Sequence, residues 1–341
     1  MSTRLKEAIG KVIAAQDLTR DEMEQVMDQI MSGEATPAQI GAFITGLRIK
    51  GETVDEITGA AVIMRQKALR VEVPGGEAMV DTCGTGGDSS GTFNISTASA
   101  FVVSGAGLKV AKHGNRSVSS KCGSADVLKE LGVNIEMPAE KAGPCIAQTG
   151  IGFLFAPLFH SAMKHAIGPR REIGIRTVFN ILGPLTNPAG AAAQVLGVYD
   201  RNLTEVLARV LNNLGTEAAY VVHGLDDKLD EVSITGPTKV TELRDKDIRT
   251  FEIKPEDFGL KSAGLDKIKG GDAKENADMI IKILEGQPGP ACDVVLLNSA
   301  LCLHAGGKSA DIVEGLELAK QAVDSGKAME KLKLLREYTN G

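Results

Sequence analysis

The 341-residue sequence predicts an α/β fold: a mainly parallel sheet flanked by helices, with a smaller all-helical N-terminal domain. Three observations carry this. The first seventy or so residues hold three helix-start signals in succession. From Val71 onward, short apolar runs alternate with helical segments, as parallel strands alternate with their crossover helices. Polar, glycine-containing stretches follow those runs, where the ligand-binding loops of such sheets lie.

The helical part comes first. Thr19 precedes Glu22, Thr36 precedes Gln39 with Pro37 between them, and Thr53 precedes Glu56. Each pair fits a capping box, and Pro37 suits a first helical position. Apolar residues then recur at helical spacing: Met23, Val26, Met27 and Ile30; Ile40, Phe43, Ile44 and Leu47; Ile57, Ala60, Ala61 and Met64. Gly33 and Gly51 fit the C-terminal stops. Helices this short need partners, so residues 1–72 are expected to form a helical domain. Strands are expected at 78–80, 108–111, 152–155, 194–198, 218–222 and 293–297, with a strand-like 232–234 and a helix over 203–214. The charged stretch 245–274 reads as a surface excursion. Residues 73–341 form the α/β domain, with 160–190 packing towards the helical one.

The densest signal follows the first apolar run. Asp81-Thr82-Cys83-Gly84-Thr85-Gly86-Gly87-Asp88 is succeeded by Asn94-Ile95-Ser96-Thr97 and a helix-compatible segment. Glycines let backbone N–H groups approach a ligand, and a helix N-terminus adds partial positive charge, so this suits an anion. Thr92, Ser96, Thr97 and Asn94 add neutral donors. The Asp88 carboxylate would repel a phosphate and implies a metal or a sugar hydroxyl between them. A Walker A loop is excluded, because no lysine lies between Gly84 and Gly107. Ser89 breaks the dinucleotide pattern. Cys83 has no base partner at a recognisable spacing and reads as a small hydrophobe.

Three further polar stretches follow. Lys112-His113-Gly114-Asn115-Arg116 leads into Ser117–Ser120 and Gly123-Ser124. Its cations suit phosphate and diphosphate, and Ser124 is expected to cap a following helix. His223 to Glu231 holds four carboxylates, of which Asp230 and Glu231 suit a magnesium site. Residues 159–188 mix cations with apolar residues, and Glu172 is their only acid. That combination suits an aromatic carboxylate: guanidinium for the carboxylate, apolar walls for the ring.

Composition bounds the function. Hydrophobic content of 43% and charge of 24% are ordinary for a globular protein with a core. The net charge of -6 argues against general nucleic-acid binding. No apolar run is long enough to span a membrane, and the N-terminal residues lack a signal peptide's apolar core. Five cysteines without a Cys-x-x-Cys spacing read as reduced thiols in the cytoplasm.

Taken in order, the Gly84–Asp88, Asn94–Thr97, Lys112–Arg116 and Arg176–Pro188 stretches and Asp230-Glu231 resemble anthranilate phosphoribosyltransferase of tryptophan biosynthesis. The resemblance runs over nearly the whole chain. It departs at Ser161, where proline is expected after His160, a position with no proposed catalytic role. The resemblance implies transfer of the phosphoribosyl group from 5-phosphoribosyl-1-pyrophosphate to the amine of anthranilate, with magnesium and a homodimer built on the helical domain. Gly84, Gly87, Asp88, Thr92, Asn94, Ser96, Thr97, Lys112, Ser120 and Ser124 would hold the phosphoribosyl pyrophosphate. Ser96, Asp230 and Glu231 would hold magnesium. Gly84, Asn115 and Arg170 would bind anthranilate, with His113 and His160 lining its route. The largest catalytic term would be electrostatic stabilisation of the leaving pyrophosphate. The uncharged amine needs mainly positioning, and no residue is nominated as a general base. The rival readings are a pyrimidine nucleoside phosphorylase, disfavoured by Arg176–Pro188 and Asp230-Glu231, and a non-catalytic nucleic-acid binder, disfavoured by the net charge.

Overall fold

The chain begins with four helices, α1 Thr3–Ile13, α2 Arg20–Met31, α3 Pro37–Lys50 and α4 Val54–Lys67. The structure is a computed structural model, and it describes residues 3–76, 78–116 and 121–341. Reciprocal capping boxes start α2, α3 and α4 at Thr19, Thr36 and Thr53. Glu56 does more than cap. Buried at 0% exposure, it accepts from Leu18 N at 2.9 Å and from Lys50 Nζ at 2.9 Å, tying the ends of three helices together. α1 was not read from the sequence, because no Ser or Thr followed three residues later by Glu or Gln stands at its start.

The α/β part runs β1 Met79–Gly84, α5 Ile95–Gly105, β2 Lys109–Gly114, α6 Ser124–Glu130, α7 Ala139–Thr149, β3 Ile151–Phe155, α8 Ala156–Phe159, α9 Lys164–Ile173, α10 Phe179–Leu182, β4 Ala193–Gly197, α11 Leu203–Asn213 and β5 Ala218–Gly224. β6 Thr238–Arg244, β7 Asp247–Ile253 and the helices α12 Ala273–Leu284, α13 Pro290–Ala305, α14 Ile312–Asp324 and α15 Lys327–Asn340 complete it. The strand order is β3-β2-β1-β4-β5-β6-β7. β1 to β5 pair in parallel, and β6 and β7 add antiparallel.

Alternate strand residues supply the two faces. Val195, Tyr220 and Val222 join the core beneath α5, α7 and α12 to α15. Leu196, Ala219 and Val221 join a second core that contains α11, the α1–α4 bundle and the residues Ala166, Phe179, Ile181 and Leu185. Arg65 of α4 reinforces that second core, donating to the carbonyls of Leu185 at 2.7 Å and Leu214 at 3.0 Å.

The structure corrects several expectations. Residues 293–297 are not a strand but part of α13, most of whose residues are buried. A helix buried on all sides loses the 3.6-residue pattern, and Pro290 at its first turn was the better signal. Residues 232–234 are not a strand either. Asn298 takes their backbone instead, accepting from Val232 N and donating to Val232 O, both at 2.9 Å. The stretch 245–274 is more than an excursion, since it supplies β7. The β6–β7 turn is Asp245-Lys246, both at positive φ, the conformation of a tight hairpin made without the usual Asn-Gly signature. Ser124 does not cap α6; Gly123 stands at the cap and Ser124 Oγ donates to Asn115 O at 3.2 Å.

Candidate active site

β1, β2, β4 and β5 end at one edge of the sheet on glycines: Gly84, Gly114, Gly197 and Gly224. The strand order reverses between β1 and β4, and a crevice opens outside the strand ends at such a point. The loop after β1 lies there. Gly84 and Gly197 face each other in register. A Cβ on Gly84 would collide with the Asp230 carboxylate, and one on Gly197 with the Asp230 backbone. These two glycines admit the Asp230-Glu231 pair to the crevice. Gly197 was missed in the sequence, since a lone glycine ending an apolar run carries no special signal.

The acidic pair is held by its neighbours. Gly224 N donates to Leu229 O at 2.9 Å. Asp227 spends its carboxylate on the turn, accepting from Leu229 N, Ser233 Oγ and Thr235 Oγ1 at 3.0, 2.6 and 2.8 Å. Asp230 and Glu231 are left for the site. Asp230 Oδ2 accepts from Gly86 N at 2.6 Å, and Glu231 Oε1 accepts from Ser96 N, in the first turn of α5, at 3.1 Å.

This crowding has electrostatic consequences. Burial, then the carboxylates of Asp88 and Glu231, push Asp230 well above the ordinary range. Burial pushes Glu231 up to about 7, against the pull of Lys112 and Ser96. Burial likewise lifts Asp81 to about 6. Lys112, 3% exposed, donates to Thr82 O at 2.7 Å and Ser96 Oγ at 3.3 Å. It therefore sits as a countercharge beneath the carboxylates. Asp88 Oδ1 accepts from Ser90 N at 3.2 Å, while its buried Oδ2 has no partner. Negative oxygens held together, one of them orphaned, fit a hard divalent cation. Among the described residues no three His, Cys, Asp or Glu side chains converge as a ready-made cage. Magnesium suits that case, taking one or two carboxylates and completing its shell with water and phosphate.

The other predicted residues fall around this centre. Gly87 lies at φ +78°, and a Cβ there would come within 2.6 Å of the Arg176 guanidinium. Arg176 donates to Gly87 O and stacks 4.3 Å over the Tyr199 ring, a clamp the sequence did not single out. Thr92 Oγ1 meets Ser90 Oγ at 3.3 Å. Thr97 Oγ1 is buried without a partner. Asn94 turns its amide into the protein, donating to Cys122 O at 3.2 Å. Ser120 lies outside the described residues. Cys83 is buried, its thiol pushed well above its usual range by burial and by Asp81, so it is no nucleophile.

His113 and His160 stand together, ring centroids 5.1 Å apart. Burial holds His113 down to about 3 and His160 to about 4, although the Gly183 and Thr186 backbones favour their charged forms. Both are neutral, and both Nε2 atoms are buried without a partner. Arg170 places its guanidinium 5.1 Å from the Phe179 ring centroid. Among the described residues that guanidinium has no hydrogen bond or ion pair. Asn115 Oδ1 accepts from Arg116 N at 2.7 Å. Arg116 itself points outward to Glu136 at 3.6 Å.

The comparisons with known proteins follow the same division of the chain. Residues 76–329 match the glycosyl transferase family a/b domain and residues 6–68 its helical bundle domain. The anthranilate phosphoribosyltransferase of Geotalea uraniireducens is 56% identical, covering 98% of this chain and 99% of its own. The chain belongs to the anthranilate phosphoribosyltransferase family. Among solved members of that family, the enzyme from Thermus thermophilus matches with a TM-score of 0.93 at 40% identity, over 98% of this chain and 99% of its own. The enzyme from Saccharomyces cerevisiae, in complex with PRPP and Mg, matches with a TM-score of 0.90 at 28% identity, over 100% of this chain and 99% of its own.

Proposed function

We infer that this chain transfers the 5-phosphoribosyl group from 5-phosphoribosyl-1-pyrophosphate to the amine of anthranilate, giving N-(5-phosphoribosyl)anthranilate and pyrophosphate, in tryptophan biosynthesis. One observation carries the reading: the glycine loop, the N-terminus of α5 and the Asp230-Glu231 pair meet at the strand-order switch. Gly84, Gly87, Asp88, Thr92, Asn94, Ser96, Thr97, Lys112, Ser120 and Ser124 form the phosphoribosyl pyrophosphate side. Backbone N–H groups of the glycine loop and of α5 face its oxygens, and no covalent step falls to the protein.

Magnesium would be held by Ser96, Asp230 and Glu231. When bound it neutralises charge that gathers on the pyrophosphate as the bond to the ribose carbon breaks. Lys112 stays beneath the carboxylates and favours the charged form of Glu231 against its burial. Arg170 and Asn115 receive the anthranilate carboxylate, with Gly84 at the same end and His113 and His160 along the entry. The aromatic amine is uncharged at neutral pH by its own chemistry, so the protein's task is to orient it at the ribose carbon.

The helical domain, residues 1–72, forms one wall of the cleft and the contact of a homodimer. Ile13 at 70% and Ile49 at 81% exposure lie on it, apolar surface suited to a second copy. The five cysteines are buried thiols, which suits the cytoplasm. No described helix is long and apolar enough to cross a membrane. The test follows anthranilate fluorescence with and without phosphoribosyl pyrophosphate and magnesium. Consumption that needs both is expected. Phosphorolysis of thymidine without anthranilate turnover would overturn the reading.

A further inference from the structure

Asn94 precedes α5, and asparagine there ordinarily accepts a hydrogen bond from the second or third N–H of its own helix. It makes no such bond. Its Oδ1 accepts from Asn276 Nδ2 at 3.0 Å and from the Cys122 thiol at 3.4 Å. Asn276 belongs to α12, 182 positions further along the chain, and is 2% exposed.

Asn276 is fixed from the other side as well. Its Oδ1 accepts from Gly271 N at 2.8 Å. The stretch before it is bound to the substrate loop: Thr92 and Lys269 form an antiparallel bridge, Gly270 N donates to Gly91 O at 2.9 Å, and Phe93 N donates to Ile268 O at 3.2 Å. The two segments run so close that a Cβ on Gly270 would lie 2.7 Å from Phe93 Cα. The Asn276 amide is thus a fixed donor aimed at Asn94. Ser96 N, which a capping Asn94 would engage, instead donates to the Glu231 carboxylate across the crevice at 3.1 Å. The first turn of α5 is kept for anionic oxygens that come from outside the helix.

We propose that Asn276 is a positioning residue for phosphoribosyl pyrophosphate, holding the Asn94 side chain off α5 so that the helix N-terminus stays open to the diphosphate. The proposal rests on the function inferred above. Without the Asn276 donor, Asn94 Oδ1 turns back, caps its own helix and competes for Ser96 N with the Glu231 carboxylate and the incoming diphosphate.

The test is Asn276→Asp, which keeps the acceptor for Gly271 N and removes the donor to Asn94. Asn276→Ala, which introduces no charge, is measured beside it in case the aspartate does not fold. The KM for phosphoribosyl pyrophosphate should rise about five- to ten-fold, the scale of one lost hydrogen bond. The anthranilate KM should stay unchanged, although the melting temperature falls with the buried hydrogen bonds that are lost. In an Asn94→Ala background the same substitution should add nothing, because the two residues act as one unit. An unchanged phosphoribosyl pyrophosphate KM, two KM values rising together, or independent effects in the double variant would each overturn the proposal. Calorimetry on the unsubstituted protein separates the two levels. If it binds no phosphoribosyl pyrophosphate, the function and the proposal both fall. If it binds and the Asn276 variants bind equally well, only the proposal falls.

Discussion

Replacing Gly84 by alanine should disable the site and spare the fold. Gly84 ends β1 with an extended backbone, outside the positive-φ region, so alanine meets no backbone strain. Losing a glycine there favours folding by about 0.4–1 kcal/mol through the unfolded chain, which offsets part of what crowding Asp230 costs the fold, so the melting temperature should fall only slightly. The new methyl group points at the Asp230 carboxylate. That side chain swings away and gives up its 2.6 Å bond from Gly86 N. A hydrogen bond to a charged group contributes about 1.5–3 kcal/mol, so kcat/KM for phosphoribosyl pyrophosphate should fall roughly 10- to 150-fold. The measurement pairs a magnesium titration of anthranilate consumption with a melting curve. A variant that melts early yet turns over normally would refute the reasoning. Gly87→Ala is a poorer probe than its place in the loop promised. Its φ of +78° adds backbone strain to the clash with Arg176, so both stability and binding should suffer.

Asp230→Asn with Glu231→Gln should abolish magnesium-dependent turnover; a magnesium titration that still raises activity would count against the pair. Glu231 is raised in the folded protein to about 7, so its contribution to metal-free stability is complete below the unfolded value and lost as pH rises through 7. Glu231→Gln should remove that loss, on the order of 3 kcal/mol, seen by denaturant titration at two pH values. His113 and His160 carry the opposite sign, held down to about 3 and about 4. Their contribution is present above pH 6.5 and lost on acidification, about 2 kcal/mol each between pH 7.5 and 5; His160→Asn should lessen the acid loss relative to the unsubstituted protein. Arg170→Ala should raise the anthranilate KM by the equivalent of about 1.5–3 kcal/mol and leave the phosphoribosyl pyrophosphate KM nearly unchanged, and a joint rise would assign Arg170 a structural role.

The local features were the most legible. The capping boxes at Thr19, Thr36 and Thr53 are made by residues three apart, so sequence spacing contains the whole interaction. The parallel strands were placed to within a few residues, because their burial on both faces writes a continuous apolar run. The glycine loop and the acidic pair were visible as clusters. The failures share a cause. α13 is buried all round, 232–234 is held by a side chain 66 residues away, and β6 and β7 are stabilised by each other's register.

The sequence alone therefore determined the fold class, the family and the chemical character of each loop, since glycine, carboxylate and guanidinium have their properties wherever the chain puts them. Only the tertiary structure decided which of them act together. Asp230 meets Gly86 from 144 positions away, and Asn276 meets Asn94 from 182. Gly197 matters because the Asp230 backbone passes beside it. The orphaned Asp88 oxygen, the neutral histidines and the raised carboxylates are products of burial and proximity. Those arise only once the sheet order brings β1 beside β4 and the distant loops converge on their ends.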